Sequence, residues 1–133
     1  MLEEQKIQWM KQNMKVCPIN STFKVMGKKF TVLILRNMML FGETRFNQFL
    51  EIEEINAKIL SARLKEMERD RLIKRKVLRE RPIGVEYTLT EKGEALKPVL
   101  RQMTAFSTRY YAKEVFKDGK IRTLDEVFGY NLS

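Results

Sequence analysis

The feature that constrains the fold most is a short amphipathic helix that runs directly into a β-hairpin. Leu60, Leu64 and Met67 recur at the i, i+4, i+7 spacing of a single buried helical stripe. Asn56 stands just before them and is a residue type that caps helix starts well. The pattern predicts one helix over residues 56–69, about 21 Å long at the usual rise per residue.

The hairpin is predicted from the segment that follows this helix. Residues 72–78 are rich in β-branched and long side chains. Val85, Tyr87 and Leu89 then alternate with polar residues at the period of a half-buried strand. Proline and glycine in the intervening stretch 79–84 are typical of a turn. The sequence therefore predicts two antiparallel strands with a basic tip.

Helical spacing and capping residues predict the remaining elements. They are a helix over 2–16, a helix capped by Ser21 that ends near Met26, a buried helix from Phe30 to Leu40, a short helix from Arg45 to Glu51 capped by Thr44, a long helix capped by Thr90 that contains Pro98, and a short helix at Thr123-x-x-Glu126. The predicted fold class is mainly α with a small β-hairpin. Two short helices, a charged helix and a basic hairpin in this order are typical of a winged helix-turn-helix.

Missing residue types exclude several functions. The 133 residues include no histidine and one cysteine, which excludes a His-dependent triad, an imidazole metal ligand, an internal disulfide and a cysteine-rich zinc site. No apolar run is long enough to span a bilayer, and the acidic start leads into no signal peptide. No set of residues suggests a nucleophile or a phosphate cradle. We expect one cytoplasmic domain that is not an enzyme and needs neither cofactor nor metal.

The charge of the chain is concentrated in the helix and hairpin. Lysine and arginine outnumber aspartate and glutamate by 26 to 17, which gives a net charge of +9. Residues 58–81 hold ten basic and four acidic side chains, so this segment carries +6. A solvated helix face is one explanation of such a run. The concentration of one sign in one segment favours the other, a surface for the phosphates of double-stranded DNA.

The predicted DNA-binding residues lie on the face of helix 56–69 opposite its apolar stripe, at the helix cap and at the hairpin tip. They are Asn56, Lys58, Ser61, Ala62, Lys65, Arg69, Arg79 and Arg81. A helix fits the major groove, where small residues allow close approach to base edges and basic ones reach bases or phosphates. The hairpin arginines suit the DNA backbone or the adjacent minor groove. Arg63 falls near the apolar side and is not included.

Several short stretches occur in an order that is more specific than any one of them. They are Cys17-Pro18, Gly27-x-Lys29-Phe30, Leu33-Ile34-Leu35-Arg36, Arg45-Phe46, Ile55-Asn56-x-Lys58-Ile59-Leu60, Leu64-x-x-Met67, Leu72-Ile73-x-Arg75 and Pro82-x-x-Val85-Glu86-Tyr87-Thr88-Leu89-Thr90-Glu91-x-Gly93. Over about residues 17–104, this set resembles the HxlR-type winged helix-turn-helix transcriptional regulators, which are related to the MarR type.

The resemblance implies a prokaryotic, cytoplasmic, homodimeric regulator that binds operator DNA with a winged helix from each protomer. Helix 56–69 would enter the major groove and wing 72–89 would contact the backbone or minor groove. Family members dimerise through their N- and C-terminal helices. The matching interface residues here are Ile7, Met10, Met14, Met103, Phe106 and Tyr110. The implied division of the single domain 1–133 is 1–16 for dimerisation, 17–90 for DNA binding, and 91–133 for the C-terminal dimer helix and tail.

Four positions depart from the usual pattern of that family. Lys28-Lys29-Phe30 replaces Gly-Lys-Trp, Asn56 replaces a serine, and Arg71 replaces a glycine after the recognition helix. A side chain at position 71 would cost of order 1 kcal/mol if the backbone there is left-handed.

Cys17 matches a cysteine that some family members use to sense electrophiles or oxidants, which makes it a candidate redox sensor. The lysines near it in sequence would favour its thiolate. A small packing residue at a helix start is the alternative. An oxidant or small-molecule effector is compatible with the sequence, but none is identified.

Two other functions remain open at this stage. The chain could be a winged-helix module that binds an acidic protein, or a nucleoid protein that binds DNA without sequence preference. The apolar stripes of the terminal helices could also close the core of a monomer.

Overall fold

The computed structural model describes residues 1–129, which form helices and one two-stranded antiparallel sheet. The elements are α1 Glu4–Asn13, α2 Pro18–Met26, α3 Lys29–Phe41, α4 Phe46–Phe49, α5 Ala57–Arg69, β1 Ile73–Leu78, β2 Gly84–Leu89, α6 Glu91–Glu94, α7 Lys97–Tyr110, α8 Ala112–Val115 and α9 Leu124–Phe128. The predicted class, mainly α with a β-hairpin, is confirmed. The last four positions of the predicted segment 91–133 lie outside the described residues.

The core forms where α3, α5 and the start of the hairpin meet. Leu60, Leu64 and Met67 of α5 are buried as the spacing predicted, and they belong to the same apolar cluster as Ile34 and Leu35 of α3. The Asn56 side-chain oxygen accepts a hydrogen bond of 2.8 Å from the backbone N–H of Ile59, so the predicted helix cap is confirmed. The core thus fixes which face of α5 is left for solvent.

The end of α5 is a tight hydrogen-bonded turn that leads straight into β1. The backbone N–H of Leu72 donates to the carbonyl of Met67 at 2.9 Å, and that of Arg71 donates to Glu68 at 3.0 Å. This pair of bonds is the Schellman motif, whose left-handed residue is usually glycine. Arg71 occupies that position with φ of 61°, so the left-handed backbone anticipated there is present.

The segment after the hairpin packs against this turn. The Thr90 hydroxyl lies 2.5 Å from the carbonyl oxygen of Arg71 and 3.1 Å from that of Leu72, and it accepts a bond of 3.0 Å from the N–H of Gly93. A β-carbon at Gly93 would collide with the Leu72 carbonyl, so glycine is required there for close approach. Lys92 donates to the carbonyl of Asp70 at 2.8 Å. The exit of α5 is therefore held on two sides.

The hairpin pairs Ile73 with Leu89 at its base and Leu78 with Gly84 at its tip. Its second strand is also tied to the segment before α4, because the N–H of Tyr87 donates to the carbonyl of Thr44 at 2.8 Å. Tyr87 is buried against the core. The wing is thus attached to both helices of the α4–α5 pair.

Several predicted boundaries are wrong. The first helix spans Glu4–Asn13 instead of 2–16, because Met14 is already extended. The second helix begins at Pro18, not after Ser21, since the fixed φ of proline suits the first helical position. Thr44 does not cap α4. Arg45 is the residue directly before the helix. The side-chain oxygen of Gln48 accepts hydrogen bonds from the backbone N–H groups of Thr44 and Arg45.

The long final helix is also interrupted. Thr90 caps only the single turn α6, and α7 begins at Lys97 with Pro98 in its second position. Proline lacks an N–H and is tolerated only in a first turn, so a new helix begins there. The predicted cap of the last helix is confirmed, because the Thr123 hydroxyl accepts from the N–H of Glu126. Among residues 1–129, no helix has the length and apolarity needed to cross a membrane.

Candidate nucleic-acid interface

The exposed face of α5 carries charged residues and the small residue Ala62, and none of its large apolar side chains. Lys58, Ala62, Lys65 and Arg69 are exposed, and the buried stripe lies on the other side of the helix. Ser61 is half-buried, so less of it faces solvent than its place on the helical face suggested. One side of α5 is therefore anchored and the other is free to contact a partner.

Asn56 is exposed but has a structural task. Its side-chain oxygen caps the helix, which leaves its amide NH₂ as the group that can donate to a phosphate or base. Its predicted role in DNA binding thus concerns the amide nitrogen alone.

Arg63 lies between the charged and apolar sides of α5, and it belongs to an ion-pair network. Glu66 accepts from Lys28 at 3.0 Å and from Arg63 at 3.2 Å. The hydrogen bond from Lys28, followed by the nearby charges of Arg63, Lys28 and Arg69, lowers the pKa of Glu66. The network joins the start of α3 to α5. Because Arg63 is bonded to Glu66, its guanidinium stays at the protein surface and does not extend into solvent. This agrees with the position of Arg63 near the apolar side of α5.

The two faces of the hairpin differ. Lys74 and Lys76 project from one face of β1, opposite Thr88 and Glu86 in the register. Arg75 lies opposite Tyr87, on the other face. All three cations are exposed. The basic run of β1 is thus divided between two surfaces, so its members cannot all contact the same DNA groove.

The tip of the wing presents Arg79 and Arg81, which are both exposed. Neither forms an ion pair within 4.0 Å among residues 1–129, and the same holds for Lys58, Lys65 and Arg69 of α5. The described part of the chain therefore leaves the predicted cationic DNA-binding residues unneutralised, which is the condition that phosphate binding needs.

Sequence reasoning missed one residue that positions the wing. Arg45 precedes α4, and its guanidinium donates to the carbonyl of Pro82 across 3.4 Å. The same guanidinium lies beside Gly84, where a β-carbon would meet it. Arg45-Phe46 is one of the stretches on which the family resemblance rests, but the contact with Pro82 spans 37 residues and has no local signal. Arg45 belongs to the candidate interface as a link between α4 and the wing.

A second surface is apolar and exposed. Within α1 no residue is buried. The predicted dimer residues are exposed except Met10, which is half-buried; Ile7, Met14, Met103, Phe106 and Tyr110 are 37–65% exposed. Phe106 contacts two tyrosines, with its ring 5.3 Å from Tyr110 and 5.9 Å from Tyr111. These stripes do not close the core of the described chain, and exposed apolar patches of this kind mark interaction sites.

Cys17 is a free, exposed cysteine directly before α2. Of the lysines near it in sequence, Lys28 has its ammonium group bonded to Glu66. The thiol is open to solvent, and its neighbours Pro18 and Ile19 begin an apolar groove between α2 and α7. In residues 1–129, no three His, Cys, Asp or Glu side chains cluster as metal ligands do.

The α4–α5 pair with its attached basic hairpin defines a winged helix-turn-helix protein. The sequence model of the HxlR-like helix-turn-helix family matches residues 25–115. The HTH-type transcriptional regulator YodB of Bacillus subtilis is 40% identical over 97 residues, covering 71% of this chain and 86% of YodB. The chain belongs to the HxlR-like family and is a helix-turn-helix transcriptional regulator. The members of this family are regulators, not enzymes.

Solved structures of similar proteins have the same fold. Reduced YodB from B. subtilis is 40% identical with a TM-score of 0.61, over 71% of this chain and 94% of that chain. The redox regulator HypR in its oxidized form is 32% identical with a TM-score of 0.60, over 68% and 94%. YodB has also been solved in diamide-treated and quinone-bound forms. The predicted winged-helix fold and family are confirmed.

Proposed function

We propose that this chain is a homodimeric regulator that binds specific sequences of double-stranded DNA. Helix α5 lies in the major groove, and the wing contacts the backbone or minor groove. The observation that carries the proposal is the anchored helix whose free face presents Lys58 and Lys65, which have no ion-pair partner within residues 1–129. Ala62 between them allows the helix to approach base edges closely. The cytoplasm is the compartment that such a regulator requires.

The roles differ along the interface. Lys58 and Lys65 reach bases or phosphates, and Arg69, near the end of α5, meets a phosphate. Arg79 and Arg81 at the wing tip meet the backbone or minor groove. Phosphate contacts set position and affinity, whereas base contacts set sequence preference.

The homodimer is proposed because the terminal helices expose apolar surface. Ile7, Met14, Phe106 and Tyr110 are all exposed. A second copy of the chain would cover them and place two copies of α5 for two half-sites of DNA. In this arrangement residues 1–16 and 91–133 build the dimer, and residues 17–90 bind DNA.

The direct test is fluorescence anisotropy with a labelled duplex from the region upstream of the gene, compared with a scrambled duplex over a salt series. We expect tighter binding to the native duplex and a steep loss of affinity with salt. Equal affinity for both duplexes would identify a nucleoid-type protein. Absence of binding at low salt would favour a module that binds an acidic protein.

The charge reversal Lys58→Glu/Lys65→Glu should abolish binding to the duplex. Lys113→Glu/Lys117→Glu changes the net charge equally at exposed positions far from α5 in the chain. This control should weaken binding only slightly, because net charge alone acts through long-range attraction. Arg81→Ala should reduce the slope of log affinity against log salt by about one if it contacts one phosphate.

We further propose that Cys17 makes DNA binding responsive to oxidants or electrophiles. Its thiol is exposed. The similar regulator YodB has been solved in diamide-treated and quinone-bound forms, and HypR in an oxidized form. With one cysteine per chain, the modified state is a bond between two copies of Cys17, a mixed disulfide or a direct adduct.

The test of this role measures DNA affinity before and after diamide or benzoquinone treatment. Intact-mass measurement identifies the product. Affinity should change in the wild type and stay constant in Cys17→Ser. A modified thiol with unchanged DNA affinity would show that Cys17 is only a packing residue.

A further inference from the structure

A cleft of about 270 Å³ lies between α3, α7 and α9, away from the charged face of α5. Its walls are mainly apolar. They include Leu33 and Leu40 of α3, Leu100 and Met103 of α7, and Val127 and Phe128 of α9. The volume is near the lower end of the range for small-molecule sites, which are typically mainly apolar with a few polar groups.

Arg36 is the one charged side chain among the residues that line this cleft. Its Nε donates to the side-chain oxygen of the buried Asn37 at 2.9 Å, and Asn37 in turn donates to Glu43 at 2.8 Å. These bonds hold the guanidinium in place and occupy its Nε. The guanidinium carbon also lies 5.9 Å from the centre of the Phe41 ring, outside the cleft lining. Among residues 1–129 Arg36 makes no ion pair within 4.0 Å, so the edge of the guanidinium that carries its terminal NH₂ groups has no carboxylate partner there.

The hydroxyl groups in the lining donate mainly to their own helix. Thr104 donates to the carbonyl of Leu100 at 3.0 Å, and Thr108 donates to that of Ala105 at 3.1 Å. The polar recognition available in the cleft therefore comes chiefly from a fixed cation beside apolar walls. Such a lining suits one carboxylate on a small apolar body, because a guanidinium binds a carboxylate with two parallel hydrogen bonds.

The third wall comes from a part of the chain beyond the family match, which ends at residue 115. The turn before α9 is held by Asp118, whose carboxylate accepts two bonds from Arg122 at 2.6 and 2.8 Å. The Arg122 guanidinium also lies 4.5 Å from the centre of the Phe116 ring. The turn that leads into α9 is thus held by its own side chains, and α9 contacts α7. The cleft depends on this segment, which lies beyond the residues that the family model matches.

We propose that the cleft between α3, α7 and α9 binds a small apolar monocarboxylate, with Arg36 holding the carboxylate. The groove between α2 and α7 is lined by Pro18, Phe23 and Val99 and has no charged residue in its lining. It offers nothing that would select an acid over a neutral molecule. Because Arg36 lies on α3, which packs against α5, an occupant would contact the helix that supports the DNA-binding face.

The test is a titration of the ¹⁵N-labelled chain, without DNA, by NMR chemical-shift mapping. The probes are hexanoate and benzoate, each compared with its neutral amide, hexanamide or benzamide. We expect the acids to bind about tenfold more tightly than the amides, from one charge-assisted contact at a partly exposed site. If hexanoate causes the larger chemical-shift changes, the cleft prefers a straight-chain acid. If benzoate does, it prefers an aromatic acid.

Variants assign the selectivity to Arg36. Arg36→Gln should reduce the affinity for the acid to that for the amide, and Arg36→Lys should keep part of the difference. Arg101→Gln removes a cation from an exposed position of α7 outside the cleft lining and should leave both affinities unchanged. Ser107→Phe fills the cleft and should prevent binding of every probe. Melting curves confirm that each variant is folded.

Three results would overturn the proposal. Equal affinity of the wild type for acid and amide would leave Arg36 without a role in recognition. Shifts confined to residues of the α2–α7 groove would place the ligand elsewhere. Absence of any shift at millimolar concentrations of all four probes would show that the cleft binds no ligand of this class.

Discussion

The charged face of α5 differs from the exposed apolar stripes of α1 and α7 in which side chains it leaves in solvent. Helix α5 buries Leu60 completely and exposes Lys58 and Lys65 to solvent, so it is stable within a single chain. Helix α1 buries no residue, and α7 leaves Phe106 56% exposed. The first surface has its apolar residues buried and its charges exposed. The second leaves apolar side chains exposed to solvent.

The difference shows where affinity and stability should be separable. Changes on the exposed side of α5 should alter DNA binding and leave folding intact, because those side chains contact solvent. Changes on the apolar face should alter assembly first. Changes beneath α5 should affect everything, since the core determines how that helix is held. The predictions below use this separation, starting with the largest effect.

Leu60→Ala should cause the largest loss. The side chain is fully buried between α5 and the rest of the core, so its truncation should reduce the free energy of unfolding by about 3 kcal/mol. Urea denaturation measures the change. Lys58→Ala on the exposed side of the same helix should stay within about 0.5 kcal/mol of the wild type. A comparable loss in both variants would contradict the assignment of buried and exposed sides.

Phe106→Arg should act on assembly. It places a charge in an exposed aromatic cluster, and an aromatic side chain at the centre of an interface is commonly worth about 2 kcal/mol, or about thirtyfold in dissociation constant. Sedimentation velocity should show a dimer in the wild type and monomers in the variant at the same concentration. A monomeric wild type, or a variant that remains dimeric, would remove α7 from the interface.

How far the sequence predicts this structure depends on the distance over which each signal acts. The cap at Asn56 and the buried stripe of α5 are local signals, and both features are present. The left-handed backbone at Arg71 was only a possibility raised by the glycine that the family usually has there, and it is also present. Start points were harder to predict: Ser21 and Pro18 both suit a helix start, and the local pattern does not rank them.

Long-range features had no sequence signal of comparable strength. The bond from Arg45 to Pro82 and the cleft closed by Phe128 depend on how distant elements pack. Apart from the half-buried Ser61 and Met10, the predicted DNA-binding and dimer residues are exposed, but exposure alone does not identify a partner.

Gly93→Ala should disturb the junction between α5 and the wing. The added methyl group would collide with the carbonyl of Leu72, which is backbone and cannot rotate away. We expect a loss of about 1–2 kcal/mol in unfolding free energy, and weaker DNA binding because the wing shifts. Ala95→Ser, at a nearby exposed position, is the matched control and should change neither quantity. Wild-type stability in Gly93→Ala would show that the junction yields easily.

Arg71→Gly should stabilise the chain. Arg71 is held at φ of 61°, where a side chain costs of order 1 kcal/mol that glycine avoids. Comparison with Arg71→Ala isolates the backbone effect, because both variants lose the charge and only one keeps the strain. The glycine variant should melt at the higher temperature. If the two variants melt together, the turn is not strained by a side chain.

Glu66→Gln should give the smallest change, which is expected at neutral pH and should disappear in acid. Lys28 and Arg63 lower the pKa of Glu66 from its ordinary 4.5 in the folded chain, so the unfolded chain takes up the proton more readily. The pair therefore contributes stability above pH 4.5, and this contribution is lost as the pH falls through the lowered pKa. The pair is partly exposed, so its contribution is at most about 1 kcal/mol.

Urea midpoints between neutral and acid pH should fall less steeply in Glu66→Gln than in the wild type, whereas Glu68→Gln, exposed on the same helix, should follow the wild-type curve. If Glu66→Gln and the wild type lose stability in parallel, the network is not what ties α3 to α5, and the apolar contacts between those helices alone hold the charged face of α5 in place.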